Sequence, residues 1–129
     1  EAGVADRVSL LGTRRDVGRV LSAMDVFALS SDREGLPLAV LEAMSAERPI
    51  VSTDVGAIRE VVSDGVNGRI VPARDEAALA ASLEEILATP GRARDMGRKG
   101  RERYLAGFTL DRMVSRYGRV YRETMEGAL

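Results

Sequence analysis

The sequence has 129 residues, of which 45% are hydrophobic and 30% are charged, and its formal net charge is −1. This length and balance predict one globular domain with its own core, and the net charge gives no reason to expect nucleic acid as a partner. Cysteine and histidine are both absent, which excludes disulfides, thiolate metal sites, histidine general bases and serine–histidine triads within this chain. The lack of cysteine is typical of a cytoplasmic protein, so we expect that location, with peripheral attachment at the inner face of a membrane as the alternative.

The first predicted elements are a short strand and a short helix. Residues 8 to 11 are an apolar run that predicts a buried strand ending at Gly12. After a turn, residues 16 to 23 are expected to form a helix. A second strand, over residues 26 to 30, then leads to the stretch that contains the predicted ligand site.

The stretch from Ser30 to Met44 has the composition of a phosphate-binding strand-to-helix junction. Gly35 lets the backbone approach a ligand closely, and Pro37 is preset for the first position of a helix, which is expected over residues 37 to 46. The first N–H groups of a helix lack intrahelical partners and lie at the positive end of its dipole. They can therefore bind a phosphate or pyrophosphate without a lysine.

Two carboxylates bracket this predicted phosphate site, Glu34 just before the helix and Glu42 inside it. Because they would repel a phosphate, they are better suited to the neutral hydroxyls of a ribose or sugar ring joined to it. A phosphate flanked by two polyols describes a nucleotide sugar. The alternative, on spacing alone, is that both glutamates are ordinary solvated residues of a loop and a helix surface.

The remainder of the chain predicts alternating strands and helices. The expected elements are strands at 50–53 and 69–71, a helical turn at 58–62, and helices at 76–88, 92–105 and about 110–126. This alternation predicts an α/β fold with a doubly wound parallel sheet, in a single domain over residues 1 to 129. A glycine loop ending at Gly56 is expected to face the same cleft as Gly35, and Gly65 and Gly68 are assigned to turn geometry.

The last two helices carry features that invite other interpretations. The helix over 92–105 is locally basic, but its acidic residues and its glycines, Gly97 and Gly100, favour a solvated face over a nucleic-acid surface. The final helix has an apolar stripe that must pack on something. These stripe residues are Leu110, Met113, Val114, Tyr117, Val120 and Tyr121.

Several of these motifs together resemble the retaining GT-B glycosyltransferases, particularly glycosyltransferase family 4. Glu34 and Glu42 have seven residues between them, as in the E-x7-E signature of that family. The other matching segments, in the family's order, are Val8 to Gly12, Ala23 to Val26, Pro49 to Gly56 and Glu60 to Val62. The likeness implies a Rossmann-like, nucleotide-sugar-binding C-terminal half of a GT-B fold.

The resemblance also implies roles for individual residues. Glu34 would hold hydroxyls of the donor sugar and Glu42 the ribose, while amides from Gly35 through Leu36 and Pro37 to Leu38 would surround the phosphates. Family members place the nucleobase near the loop after the first strand, which makes Gly12, Thr13 and Arg14 base-site candidates. An ordinary strand-to-helix turn is the alternative for those three residues.

By the same likeness, the fold would be incomplete at its N-terminus. The family's domain has two further strands, and an acceptor domain, before the point that matches Ala5. The acceptor, which the sequence does not identify, would be chosen by that N-terminal domain. We therefore expect the 129-residue chain alone to be marginally stable, and part of the final stripe to lack a partner.

The predicted activity is transfer of a glycosyl group from a nucleoside-diphosphate sugar to an acceptor hydroxyl with retained configuration. An Asp-x-Asp motif is absent, as is histidine, so no cofactor and no essential divalent metal are expected. Two alternatives stay open: a non-catalytic nucleotide-binding domain, and a sugar-nucleotide epimerase of similar fold.

Overall fold

The computed structural model describes residues 3 to 127, and within them the chain forms an α/β fold with a three-stranded sheet. Residues 1, 2, 128 and 129 of the predicted domain lie outside the described residues. The strands are β1 (Phe27–Leu29), β2 (Ile50–Thr53) and β3 (Gly68–Val71). The helices are α1 (Val17–Ser22), α2 (Leu38–Ser45), α3 (Ile58–Val61), α4 (Glu76–Ala88), α5 (Pro90–Gly107) and α6 (Leu110–Glu126), and a 3-10 turn covers Ala5–Arg7.

The sheet is parallel and has the order β1-β2-β3, which confirms the predicted α/β class. Ile50 of β2 is opposite Phe27 of β1 and Gly68 of β3. All four residues of β2 are buried, because the strand is paired on both edges and covered on both faces. The continuous apolar run that predicted β2 is typical of such a central parallel strand.

Helices cover both faces of the sheet, as a doubly wound arrangement requires. On one face Ile50 packs in a cluster with Met44 of α2 and Ile58 of α3. Successive residues of a strand point to opposite faces, so Val51 packs on the other side, with Ile86 of α4 and Met96 of α5. The carboxyl ends of all three strands therefore open at one edge, where the loops that follow them meet.

The predicted strand over residues 8 to 11 is wrong. These residues lie outside any strand and are exposed, Leu10 almost completely. A short apolar run becomes a strand only where another strand pairs with it, and the described residues place none beside this one. β1 is accordingly an edge strand of the sheet that the described residues form.

The assignment of Gly68 to a turn is also wrong. Gly68 begins β3, and a β-carbon on it would lie 2.5 Å from the carbonyl oxygen of Ile50. The glycine is required by the close approach of β3 to β2, not by a turn conformation. Gly65, by contrast, has a φ of +74° and does occupy a turn, as predicted.

Gly97 and Gly100 of α5 do not lie on a solvated face, contrary to the sequence prediction. Gly97 and Gly100 are buried, and a β-carbon on Gly97 would lie 2.1 Å from the carbonyl oxygen of Glu47. Their absent side chains let α5 pack closely on α2 and on the loop that follows it. The basic side chains Arg98 and Lys99 do lie at the surface. Lys99 bonds Asp95 at 2.7 Å, and Lys99 with Arg98 holds the pKa of Asp95 below its usual range.

Helix α6 agrees with the predicted final helix, and it contains no buried residue. Its apolar stripe, from Leu110 to Tyr121, is exposed along its whole length. Within residues 3 to 127 no other element covers this stripe, and the surface on which it packs stays a prediction. None of the helices described is long and apolar enough to cross a bilayer.

Candidate active site

The predicted phosphate site is the amino-terminal end of α2, at the carboxyl edge of the sheet. Helix α2 begins at Leu38, one residue later than predicted. Pro37 is therefore its N-cap residue and not its first helical residue. No side chain caps this end, although the first amides of any helix lack intrahelical acceptors. Gly35, Leu36 and Leu38 are exposed and Pro37 is buried, so this turn lies at the surface.

Glu34 lies in the loop between β1 and α2, with an exposed side chain. The hydroxyl of Ser31 donates to its Oε1 atom at 2.7 Å. This bond orients the carboxylate and leaves its second oxygen to accept a further hydrogen bond, since an ionised carboxylate has two acceptor oxygens.

Glu42 lies on the exposed face of α2, one residue before the buried pair Ala43 and Met44. Those neighbours fix the rotation of the helix, because their side chains belong to the core that also holds Ile50. Residues four apart share a helix face, so Glu42 and the exposed Leu38 are on the same side of α2. Glu34 and Glu42 are therefore both exposed, the first before the uncapped helix start and the second inside the helix.

The loop after β2 contacts the loop after β1 through hydrogen bonds and through Gly56. The amide of Ala57 donates to the carbonyl of Gly35 at 2.9 Å, and the hydroxyl of Thr53 donates to the carbonyl of Ser31 at 2.6 Å. Gly56 lies directly against the backbone of Glu34 and Gly35. This second glycine loop therefore contacts Gly35, and the cleft that both were expected to face stays a prediction.

Two ion pairs lie beside these loops. Arg74, which follows β3, bonds Asp32 at 2.9 Å and so connects the third strand exit to the first. Arg59 forms two hydrogen bonds to Asp54, and this guanidinium lowers the pKa of Asp54. Both pairs are substantially exposed, so they adjust the local charge more than they hold the fold.

Gly12, Thr13 and Arg14 are exposed residues of the segment before α1. Arg14 bonds both carboxylate oxygens of Asp16, at 2.8 and 2.6 Å, which raises the pKa of Arg14 and lowers the pKa of Asp16. Their assignment as base-site candidates depended on a strand at residues 8 to 11. That strand is absent, and the role of these three residues stays a prediction.

A cavity of about 680 Å³ lies at the other edge of the sheet, near the amino ends of the strands. Its lining includes Pro49, which precedes β2, and Arg94 of α5, but none of the predicted site residues. The end of α2 is an open surface in this chain. Among residues 3 to 127, no group of three or more acidic side chains is arranged to hold a metal ion.

Sequence reasoning missed the polar residues that hold the glutamate loop. Ser31 could have been found, because a serine three residues before a glutamate in a loop is placed for a local bond. Thr53 ends a buried strand, where a hydroxyl needs an acceptor, but its partner Ser31 is 22 residues away in the chain. No local signal identifies such a partner.

A family model for glycosyl transferases group 1 matches residues 1 to 89 of the chain. The putative glycosyltransferase EpsD of Bacillus subtilis is 35% identical over 124 residues, which cover 96% of this chain and 32% of that protein. The chain thus spans about a third of the length of this curated relative.

Solved structures agree with the observed fold. Sucrose-phosphate synthase from Thermosynechococcus elongatus superposes with a TM-score of 0.92 at 32% identity, over 96% of this chain and 32% of that one. HepE from Anabaena, solved in complex with UDP, has a TM-score of 0.90 at 22% identity, over 94% of this chain and 34% of that one, and shares the fold. The chain has the Rossmann-like fold of GT-B C-terminal domains, and it belongs to the glycosyl transferases group 1 family.

Proposed function

We propose that the protein containing this chain transfers a glycosyl group from a nucleoside-diphosphate sugar to an acceptor hydroxyl, with retained anomeric configuration. The observation that supports this best is the exposed, uncapped start of α2 with Glu34 on one side and Glu42 on the other. Membership of the family supports it independently, as do the structures of HepE with UDP and with UDP-glucose.

The first step of the proposal concerns the diphosphate. Backbone amides between Gly35 and Leu38 would bind it, assisted by a helix dipole equivalent to roughly half a positive charge at this end. Negative charge grows on the diphosphate as the bond to the sugar breaks, so donors fixed beforehand stabilise the transition state more than the ground state. This electrostatic role needs no metal ion, consistent with the missing Asp-x-Asp motif and histidine.

The second step concerns the two sugars of the donor. Glu34, already oriented by Ser31, would accept hydrogen bonds from hydroxyls of the transferred sugar. Glu42, which lies on the exposed face of α2, would accept bonds from the ribose hydroxyls. With no histidine available, the leaving phosphate would help to deprotonate the acceptor hydroxyl, and acceptor choice would lie outside this chain.

Two substitutions in the full-length protein test these roles. Glu42→Ala should weaken nucleoside-diphosphate binding, and Glu34→Ala should lower kcat, each by roughly 10- to 100-fold, because each removes a charge-assisted hydrogen bond. Release of nucleoside diphosphate is followed for a panel of donors, with and without a chelator. It gives the kcat and the donor KM of each variant. Glu84→Ala, at an exposed position of α4, is the matched control and should match wild type.

The panel also separates the alternatives. Unchanged kinetics in both glutamate variants would refute the site. Binding of a nucleoside diphosphate by the intact protein, without transfer or donor hydrolysis, would identify a non-catalytic binding domain. Interconversion of one donor sugar into another, without release of nucleoside diphosphate, would identify an epimerase.

A further inference from the structure

The loop after β2 and the loop after β1 touch through a glycine that has no room for a side chain. A β-carbon on Gly56 would lie 2.1 Å from the carbonyl oxygen of Gly35 and 2.3 Å from that of Glu34. Real β-carbons essentially never come within 3.0 Å of a heavy atom from another part of the chain. The obstructing atoms are backbone, so relief requires movement of the whole glutamate loop.

The same two loops are joined by hydrogen bonds on either side of Gly56. The amide of Ala57 donates to Gly35, and the buried Thr53 donates to Ser31. Ser31 in turn bonds the carboxylate of Glu34. A continuous set of contacts therefore runs from the end of the central strand to the glutamate carboxylate.

We propose that the β2 exit loop, Thr53 to Ala57, is a positioning element for Glu34, and that Gly56 is its principal positioning residue. This inference rests on the proposed function of Glu34. The loop acts by setting where the carboxylate and the backbone of Gly35 lie, and not by contact with the substrate. A displacement of about 1 Å in such a group can reduce turnover by about 100-fold.

The first test compares two glycine substitutions in the full-length protein. Gly56→Ala should lower the kcat of sugar transfer by at least about 30-fold, since the added methyl displaces the Glu34 loop. Gly65→Ala is the matched control, because Gly65 also has a positive φ but only the end of the Arg69 side chain nearby, at 3.9 Å. Both variants place alanine at a positive φ, so a large excess loss in Gly56→Ala reports the contact with the loop.

A double-variant cycle distinguishes positioning from a general loss of structure. If Gly56 acts through Glu34, the double variant Gly56→Ala/Glu34→Ala should lose much less activity than the product of the two single losses. Losses that multiply would overturn the inference. Equal kcat in Gly56→Ala and Gly65→Ala would overturn it too, and would leave the proposed function standing if Glu34→Ala alone is impaired.

A second pair of variants applies if Gly56→Ala does not fold. Thr53→Val removes the hydroxyl that holds Ser31 and should lower kcat by about 10-fold, and Thr53→Ser, which keeps the hydroxyl, should restore it. Equal activity in the two threonine variants would contradict the inference. Wild-type protein that transfers no sugar from any donor would instead refute the proposed function, and the inference with it.

Discussion

Helix α2 is apolar around most of its circumference, whereas α6 has one apolar stripe on a polar helix, and the two have opposite environments. In α2, the side chains of Val40 and Met44 are 0% exposed. In α6, Met113 is 48% exposed and Tyr117 is 60% exposed, although both lie on the apolar stripe. Apolar spacing thus predicts which face of a helix is to be covered, but not whether the covering surface is present.

The difference between the two helices follows from what lies beside each of them. Helix α2 packs between α1, α5 and the face of the sheet that contains Ile50. Helix α6 follows Phe108, which among residues 3 to 127 is the last that packs against that core. No described residue covers the stripe of α6. The stability of this chain should therefore come from the region around α2 and β2, which also holds the candidate site.

A pair of methionine substitutions should show the largest effect. In the 129-residue chain, Met44→Ala should reduce the free energy of unfolding by about 2–5 kcal/mol, because it empties a fully buried site in a helix. Met113→Ala makes the same chemical change at an exposed helical site and should cost less than about 0.5 kcal/mol. Urea unfolding followed by circular dichroism measures both, and equal losses would show that α6 is packed in solution.

Elements whose partners lie within the chain could be predicted from the sequence. The bounds of β2 match the prediction at both ends, and Asp75 caps α4 by accepting from the amide of Ala78, as its position before an apolar helix indicates. A helix does begin between Glu34 and Glu42 in the chain, as predicted, and the roles of the two glutamates stay predictions. These features depend on local patterns, namely apolar runs, caps and a glycine–proline junction.

Features that depend on distant partners could not be predicted. Residues 8 to 11 have the composition of a strand, but nothing local shows that no strand pairs with them here. Gly56, Gly68 and Gly97 look like ordinary turn or helix glycines, although each is required by backbone from another part of the chain. Turn signals report conformation, whereas close approach is a property of the folded chain.

Removal of α6 should have a smaller effect than the single substitution in α2. A chain that ends at Phe108 keeps the aromatic ring that packs on the core and loses a helix without buried residues. We expect its free energy of unfolding to change by less than about 1 kcal/mol, because little apolar area returns to water. Thermal and urea unfolding of the two chains measure the change, and a loss of several kcal/mol would contradict the contrast between the helices.

The smallest effect should come from the ion pair that connects the loop between β1 and α2 to the loop after β3. Arg74 and Asp32 are 2.9 Å apart, but their side chains are 78% and 51% exposed, and such pairs contribute about 0–1 kcal/mol. A double-variant cycle with Asp32→Ala and Arg74→Ala should therefore give a coupling energy below about 0.5 kcal/mol, which falls further as salt is added. A larger coupling that resists salt would mean that this edge of the sheet is enclosed in solution. The advantage of the α2 region over α6 would then come partly from charge, and not from burial alone.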